Sequence, residues 1–201
     1  MIRAFVAFEP DEATRRSLAG LQQELKRLVE RACVRNVGIS WTRPSSIHLT
    51  VKFLGDINEG QVPLLQRRIT DAIAHHPPFH IPLERLGAFP RIEQPRVLWA
   101  GPADQWERGD DAMNLLSLHR AVESCCQALG FVSDPRMLKP HLTLARIKEG
   151  GRMVGQILAG SGIIDRIIEG ATLPVEAIVL LKSELNPTGS VYTKLWDLRL
   201  R

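Results

Sequence analysis

Cysteine is scarce in this sequence of 201 residues, and its three copies are poorly placed for cross-linking. Cys125 and Cys126 are adjacent and Cys33 lies far from them, so neither a disulfide framework nor a Cys-x-x-Cys metal clip is present. Such cysteine usage is typical of a reducing compartment, where disulfides do not persist. We therefore predict a cytoplasmic protein without structural disulfides.

Long apolar runs and a strong excess of one charge are also missing. No stretch approaches the roughly 20 apolar residues of a membrane-spanning helix, so we expect no association with a membrane. Lysine and arginine total 26 against 22 acidic residues, which gives a formal charge of +4. This mild excess permits a phosphate-bearing partner without requiring one. Any affinity for anions should therefore come from a local site.

What the sequence does contain is a short motif that occurs once in each half of the chain. His48-Leu49-Thr50-Val51 is repeated as His141-Leu142-Thr143-Leu144, and both copies are predicted to be strands. Because side chains alternate along a strand, the histidine and the threonine of each copy should share one face. A single His-Leu-Thr is usually just part of a half-buried strand, but packing alone poorly explains its repetition. The two copies together predict a site with two imidazoles and two hydroxyls.

The remaining pattern alternates strands with amphipathic helices. Predicted strands are Ile2–Phe8, Phe79–Leu86, Arg96–Ala100, Val175–Ser183 and Val191–Leu200, and predicted helices are Glu12–Ala32, Gln61–His75 and Asp110–Leu129. Residues 150–170 fit either a short helix or an irregular loop. We expect an α+β fold with two pseudo-symmetric lobes, each an antiparallel sheet with helices on its outer face, around a central cleft. No linker composition separates the lobes, so residues 1–201 are predicted to form one domain.

Two imidazoles around one phosphate can carry out hydrolysis without a metal ion. A neutral imidazole takes a proton from water while an imidazolium gives one to the departing oxygen, and a pKa near 6.5 allows both forms at neutral pH. We therefore predict no cofactor. The cluster of His75, His76 and His80 lacks a cysteine or carboxylate nearby to complete a metal site, so a loop is the expected role. His119 is expected to be a packed or surface residue of a helix.

The sequence also resembles a known family, the 2H phosphoesterase superfamily, whose mark is the paired His-x-Thr-aliphatic motif. The flanking residues are similar to those of the bacterial and archaeal RNA 2′,3′-cyclic phosphodiesterases, which are also described as 2′-5′ RNA ligases. The similarity covers nearly the whole chain. Besides the two motifs it includes Arg3-Ala4-Phe5-Val6-Ala7, Gly87-Ala88-Phe89-Pro90, Pro95–Gly101, Ser183-Glu184-Leu185 and Gly189–Tyr192.

The resemblance implies hydrolysis of a 2′,3′-cyclic phosphate on RNA to a 2′-phosphomonoester. It implies that His48 is the proton donor to the departing 3′-oxygen and that His141 is the proton acceptor that activates water. Thr50 and Thr143 would donate hydrogen bonds to the phosphate. Arg146 matches an arginine that binds the phosphate in the family, although strict alternation puts it on the face opposite His141 unless the strand contains a bulge.

Several other residues near the motifs have two possible roles. Lys52 shares the parity of His48 and is expected either at the mouth of the cleft or as an exposed residue at a strand end. Phe53 and Tyr192 are candidates for stacking on a base, but the parity of Phe53 favours the core. Trp41 and Trp99 are expected in the core or at the rim.

Three functions remain open at the level of sequence. The leading one is cyclic phosphodiesterase activity on RNA ends or small cyclic nucleotides by a monomer. The second is 2′-5′ RNA ligation, the same chemistry in reverse, which the ratio of products with excess acceptor RNA would detect. The third is a module that binds RNA ends without chemistry. Both histidines are present here, which argues against the third.

Overall fold

The structure is a computed structural model that describes residues 1–32, 35–168, 170–186 and 189–201. Cys33, and with it part of the prediction about cysteine pairing, lies outside the described residues. In chain order the regular elements are β1 (Ile2–Phe8), α1 (Glu12–Arg31), β2 (Gly38–Trp41), β3 (Leu49–Ile57), α2 (Val62–Ile73), β4 (Phe79–Pro82), β5 (Arg85–Phe89), β6 (Val97–Gly101), α3 (Asp110–Ala128), β7 (Leu142–Glu149), α4 (Gly151–Ser161), β8 (Thr172–Val175), β9 (Ala177–Asn186) and β10 (Gly189–Arg199).

Two four-stranded antiparallel sheets dominate the described part of the chain. The first sheet has the order β10-β9-β1-β3 and the second has the order β2-β7-β6-β5. Strand β4 pairs with β8 in a smaller sheet. Each large sheet combines strands from both halves of the sequence, so the two lobes are not the two halves of the chain. The predicted α+β fold with two lobes is confirmed.

The helices lie on the sheet faces that point away from the histidine motifs. Helix α1 starts at the cap residue Asp11, whose carboxylate accepts from the Thr14 backbone N–H at 2.8 Å. Its buried Gln22 donates to the carbonyl of Leu144 on β7 at 2.8 Å, which fixes α1 against the second sheet. Helix α3 packs against α2 and β3 and so covers the first sheet. None of the described helices combines the length and apolarity needed to cross a bilayer.

The structure differs from the predicted elements at two places and decides a third that was left open. The predicted strand 79–86 is two strands, because the chain turns between Pro82 and Arg85 and enters the second sheet as β5. Leu83 within that turn and Leu86 just after it are both buried, which hides the break from a hydrophobicity pattern. Strand β2, which ends at Trp41, is not among the predicted strands. Residues 150–170, for which two interpretations were open, contain helix α4, although Glu169 of that stretch is not described.

Candidate active site

Each motif histidine immediately precedes its strand, so both strands start one residue later than predicted. His48 lies before β3 and His141 before β7. In both, ring Nδ1 is hydrogen-bonded to the carbonyl oxygen two residues earlier, that of Ser46 at 2.9 Å and that of Lys139 at 2.7 Å. A carbonyl only accepts, so Nδ1 must carry the proton in both rings. In the neutral form, Nε2 is therefore the acceptor that each imidazole can offer to a ligand.

Aromatic rings hold both imidazoles from the side. The His48 ring lies with its centroid 4.6 Å from Phe5 and 5.0 Å from Tyr192, the latter edge to face. The His141 ring meets Phe89 edge to face at 4.9 Å and lies 6.3 Å from Trp99. This packing limits the orientations that either imidazole can adopt, which is what a positioned proton-transfer group needs.

A glycine makes room for one of these supporting rings. The indole of Trp99 lies directly over Gly87, where a Cβ atom would stand 2.1 Å from the ring. Phe89 packs beside the indole at 5.3 Å. Trp99 is buried, as predicted for a core residue. Trp41 is half-buried, with the Lys26 ammonium 5.3 Å from its ring centroid, and lies on the side of α1.

Burial lowers the pKa of both histidines below 6.5. For His48, burial outweighs the carbonyl of Ser46 and the negative charge of Glu9, both of which raise the pKa. For His141, burial outweighs the carbonyl of Lys139. The positive charge of Arg146 lowers the pKa of both imidazoles, and a charge on His141 lowers that of His48. The two rings and this guanidinium therefore lie close enough to interact across one cleft.

The same irregularity occurs in both histidine strands and decides which residues face the cleft. Between β1 and β3 the pairing runs from Ala7–Thr50 to Val6–Lys52, so one residue of β3 is left without a partner. Between β6 and β7 it runs from Trp99–Thr143 to Leu98–Ala145, with the same result. These are β-bulges, and each one reverses the alternation of the residues that follow it, in β3 as far as a second register shift at Leu54.

The bulge in β7 brings Arg146 to the face of Thr143. Leu144 and Ala145 are both buried on the opposite face, and Arg146 is exposed. Strict alternation would have placed this arginine against α1. The strand therefore contains the bulge that Arg146 needs in order to share the face of His141 and Thr143. Thr50 and Thr143 are half-buried on the same faces as their histidines.

The bulge in β3 exchanges the expected positions of Lys52 and Phe53. The prediction of an exposed or cleft-facing Lys52 is wrong, because its side chain is 3% exposed and its ammonium lies 2.7 Å from Glu123 on α3. The prediction of a core position for Phe53 is also wrong. Its side chain is 63% exposed, 5.9 Å from Phe5, on the cleft face. When the two motifs are aligned on their histidines, Phe53 and Arg146 occupy the same position, five residues after the histidine.

Sequence reasoning missed Phe5, Phe89 and Glu9 as members of this site. Phe5 and Phe89 both stand in the short stretches that carry the family resemblance, and that was the available signal. Glu9 follows β1 and makes ion pairs with Lys194 at 2.6 Å and Arg15 at 3.8 Å. Nothing in its local sequence marks it, because its proximity to His48 depends on how β1 pairs with β3.

The other histidines do not join the cleft. His75 and His80 are exposed near the end of α2 and on β4, and His119 is half-buried on α3. In the described residues, no three or more histidine, cysteine or acidic side chains come close enough together to hold a metal ion.

Comparisons with known proteins agree with this geometry. A family profile described as LigT like Phosphoesterase matches residues 9–99. The RNA 2′,3′-cyclic phosphodiesterase of Thermus thermophilus is 33% identical over 164 residues, which cover 79% of this chain and 74% of that protein. The RNA 2′,3′-cyclic phosphodiesterase of Methanothermobacter thermautotrophicus is 29% identical over 199 residues, 99% of each chain.

Solved structures share the fold over the whole length. The crystal structure of TT0787 of Thermus thermophilus has a TM-score of 0.70 and 25% identity, covering 100% of this chain and 98% of that one. The crystal structure of E. coli LigT complexed with 3′-AMP has a TM-score of 0.72 and 20% identity, covering 99% of this chain and 97% of that one. Sequence and fold thus lead to one conclusion: the chain belongs to the LigT-like phosphoesterase family, whose relatives are the RNA 2′,3′-cyclic phosphodiesterases.

Proposed function

We propose that this chain hydrolyses the 2′,3′-cyclic phosphate end of RNA to a 2′-phosphomonoester without a metal ion, with His48 as general acid and His141 as general base. One observation carries the proposal. Two imidazoles have the same hydrogen-bonded Nδ1, which leaves Nε2 of each for a ligand, and the charge of Arg146 lowers the pKa of both. The names of the relatives support the substrate class.

The chemistry follows from which ring nitrogen is available. Nε2 of neutral His141 takes a proton from a water molecule, whose oxygen attacks the phosphorus atom. The bond from phosphorus to the 3′-oxygen breaks in line with the attack, and Nε2–H of His48 protonates the departing 3′-oxygen. The hydroxyls of Thr50 and Thr143 donate to the non-bridging oxygens, and the guanidinium of Arg146 offsets their charge. The phosphate remains on the 2′-oxygen.

Glu9 supports the assignment of acid and base to the two histidines. Its negative charge raises the pKa of His48, and among the described residues no carboxylate has a corresponding effect on His141. Glu9 therefore favours the imidazolium form of His48, which suits the proton donor, and burial is the effect that opposes it most. The physical reason is independent of the family resemblance that suggested the same roles.

The decisive experiment measures turnover of a 2′,3′-cyclic nucleotide by the purified protein with EDTA present. We expect turnover to be unchanged by EDTA and the product to be the 2′-phosphate, identified by ³¹P NMR. Loss of turnover in EDTA that a divalent cation restores would rule out the two-imidazole mechanism. A 3′-phosphate as product would reverse the orientation of the substrate.

The pH dependence of kcat/KM is expected to have its maximum below pH 6.5. In the free enzyme one imidazole must be neutral and the other protonated, and burial lowers the pKa of both His48 and His141. As the pH rises above these values the imidazolium is lost, so kcat/KM should fall from about pH 6 towards about pH 8. Rates at a low fixed substrate concentration across this range give the profile, and a maximum above pH 7 would contradict it.

Phe53→Ala is expected to raise KM about 5- to 100-fold with little change in kcat, the range that loss of one base-stacking contact gives. Because His48 protonates the 3′-oxygen, the nucleoside should lie on the side of the first sheet. There the exposed ring of Phe53 packs beside buried Phe5, which also contacts Tyr192. Leu185→Ala, which truncates another exposed apolar residue of this sheet, is the matched control.

A substrate without a base makes the Phe53 test specific. Glycerol 1,2-cyclic phosphate presents the same cyclic ester but nothing to stack. KM for this compound should be equal in the wild-type protein and in Phe53→Ala. A similar rise in KM for both substrates would mean that Phe53 acts on the phosphate site and not on the base.

A further inference from the structure

Lys52 on the first histidine strand forms a buried ion pair with Glu123 on α3. Lys52 lies on β3, four residues after His48, and the bulge turns it away from the cleft into the space below α3. Its ammonium donates to the Glu123 carboxylate at 2.7 Å and to the Val132 carbonyl at 2.6 Å. Burial opposes ionisation of Glu123, but the hydrogen bonds from Lys52 and from the Asp134 backbone N–H outweigh it and lower its pKa. Glu123 is therefore present as a carboxylate that accepts these hydrogen bonds.

These contacts fix the start of a segment that joins the two lobes. Residues 129–141 connect α3, which packs on the first sheet, to β7 in the second sheet, and they contain no regular structure. Strand β3 is the edge of the first sheet, and the segment is bonded to it through Lys52 and the Val132 carbonyl. The Asp134 N–H also donates to Glu123, at 3.1 Å. One buried carboxylate and one buried ammonium thus hold two successive parts of the connection.

The two histidines differ in what supports their carbonyl partners. The Ser46 carbonyl that bonds His48 belongs to a short helical turn, Pro44–Ser46, with its own backbone hydrogen bonds. The Lys139 carbonyl that bonds His141 has no such support. Within the described part of the chain, residues 132–140 make no hydrogen bond to another backbone group. Apart from the packing of Leu138 and the contact of the Pro140 carbonyl with Gly101, the ion pair is what ties this stretch to the core.

At its other end the segment leads into His141, the residue before β7. The Pro140 carbonyl lies against Gly101, where a Cβ atom would stand 2.8 Å from it, so that end has no space to shift towards β6. The Lys139 carbonyl, which is hydrogen-bonded to the His141 ring, lies between this contact and the part of the segment that Lys52 and Glu123 bind.

We propose that Lys52 and Glu123 are positioning residues that place His141 opposite His48, by anchoring the connection between the lobes to the strand that carries the first motif. This rests on the proposed function, in which both imidazoles must act on one phosphate. A buried ion pair is not needed for stability as such, because apolar residues of similar size stabilise a core at least as well. Its directional hydrogen bonds, however, fix one geometry in a segment that has no backbone bonds of its own.

The test replaces both partners, since removing one would leave an unpaired charge in the interior. Lys52→Met with Glu123→Leu is expected to fold, with a cooperative thermal transition, and to lower kcat on a 2′,3′-cyclic nucleotide at least tenfold. KM should stay within about threefold, because Thr50 and Arg146 are untouched. Arg136→Gln, which breaks an exposed ion pair in the same segment, is the control and should leave both constants unchanged.

A second measurement does not depend on activity. The Lys139 carbonyl raises the pKa of His141. In the double variant this hydrogen bond should weaken, so NMR titration of the His141 ring should give a lower pKa than in the wild type, whereas the pKa of His48 should not fall. Loss of stability alone would not move the pKa of one histidine in the folded protein.

The outcomes separate the two proposals. A folded double variant with the kcat and the His141 pKa of the wild type would overturn the positioning role. Wild-type protein that does not turn over cyclic phosphates would overturn the proposed function, and the titration would still test the positioning. If the double variant does not fold, Lys52→Arg keeps the charge pair but needs more space below α3. It should lower kcat without raising KM, and an unchanged kcat would overturn the inference.

Discussion

His48→Ala and His141→Ala are each expected to lower kcat/KM for a 2′,3′-cyclic nucleotide by about 10² to 10⁴-fold, the usual contribution of one positioned proton-transfer group. The reason is that each imidazole presents only Nε2 to the cleft, and the described structure has no third imidazole there to take over its proton transfer. Steady-state kinetics of the two variants and the wild type, with EDTA present, make the measurement.

The double variant tests whether the two histidines act as a unit. If both protons move in one step, His48→Ala with His141→Ala should be little slower than the worse single variant, because groups that act together are not additive. His75→Ala, which removes an exposed histidine outside the cleft, is the control and should keep full activity. Wild-type rates in either single variant would remove that residue from the mechanism.

Arg146→Gln is expected to have two effects, one on rate and one on pH dependence. Losing charged hydrogen bonds to the phosphate, worth about 1.5–3 kcal/mol, should lower kcat/KM about 10- to 100-fold. The positive charge of Arg146 also lowers the pKa of His48 and of His141. Removing that charge favours the imidazolium form, so both pKa values should rise and the maximum of the pH profile should move to higher pH.

The control for Arg146→Gln is Lys148→Gln, two residues further along β7. Lys148 is exposed and has the same parity after the bulge, so it loses an equal charge from the same face of the strand. A lower kcat/KM with an unmoved pH profile would show that Arg146 is not close to both imidazoles. Equal effects of the two variants would mean a general attraction of anions to the surface.

The sequence was informative where local pattern and chemistry coincide. The amphipathic stripe of α1 and the short apolar run of β1 predicted those elements, and in the helix the 3.6-residue period also shows which face is buried. Pattern failed where buried residues continue across a corner, as at Leu83 and Leu86, because the two strands meet different sheets.

The exchanged positions of Lys52 and Phe53 show more clearly where prediction from alternation along a strand fails. Both were assigned from parity, and both assignments were wrong because one residue is inserted at Val51. The sequence does not show which residue of β3 is extra, because nothing in the identities of Val51 and Lys52 indicates which one lacks a pairing partner on β1. Only the pairing of β3 with β1 reveals it, and the same applies to Arg146 and the pairing of β7 with β6.

By itself the sequence determined that two histidine motifs exist, that each begins a strand, and that two similar lobes carry them. These properties depend on residue type and period, which are local. The tertiary structure decided which side chains share the cleft, which of two neighbours is buried, and which carbonyl orients each ring. Those depend on strand register and on a segment without regular structure, and both are set by contacts between residues far apart in the chain.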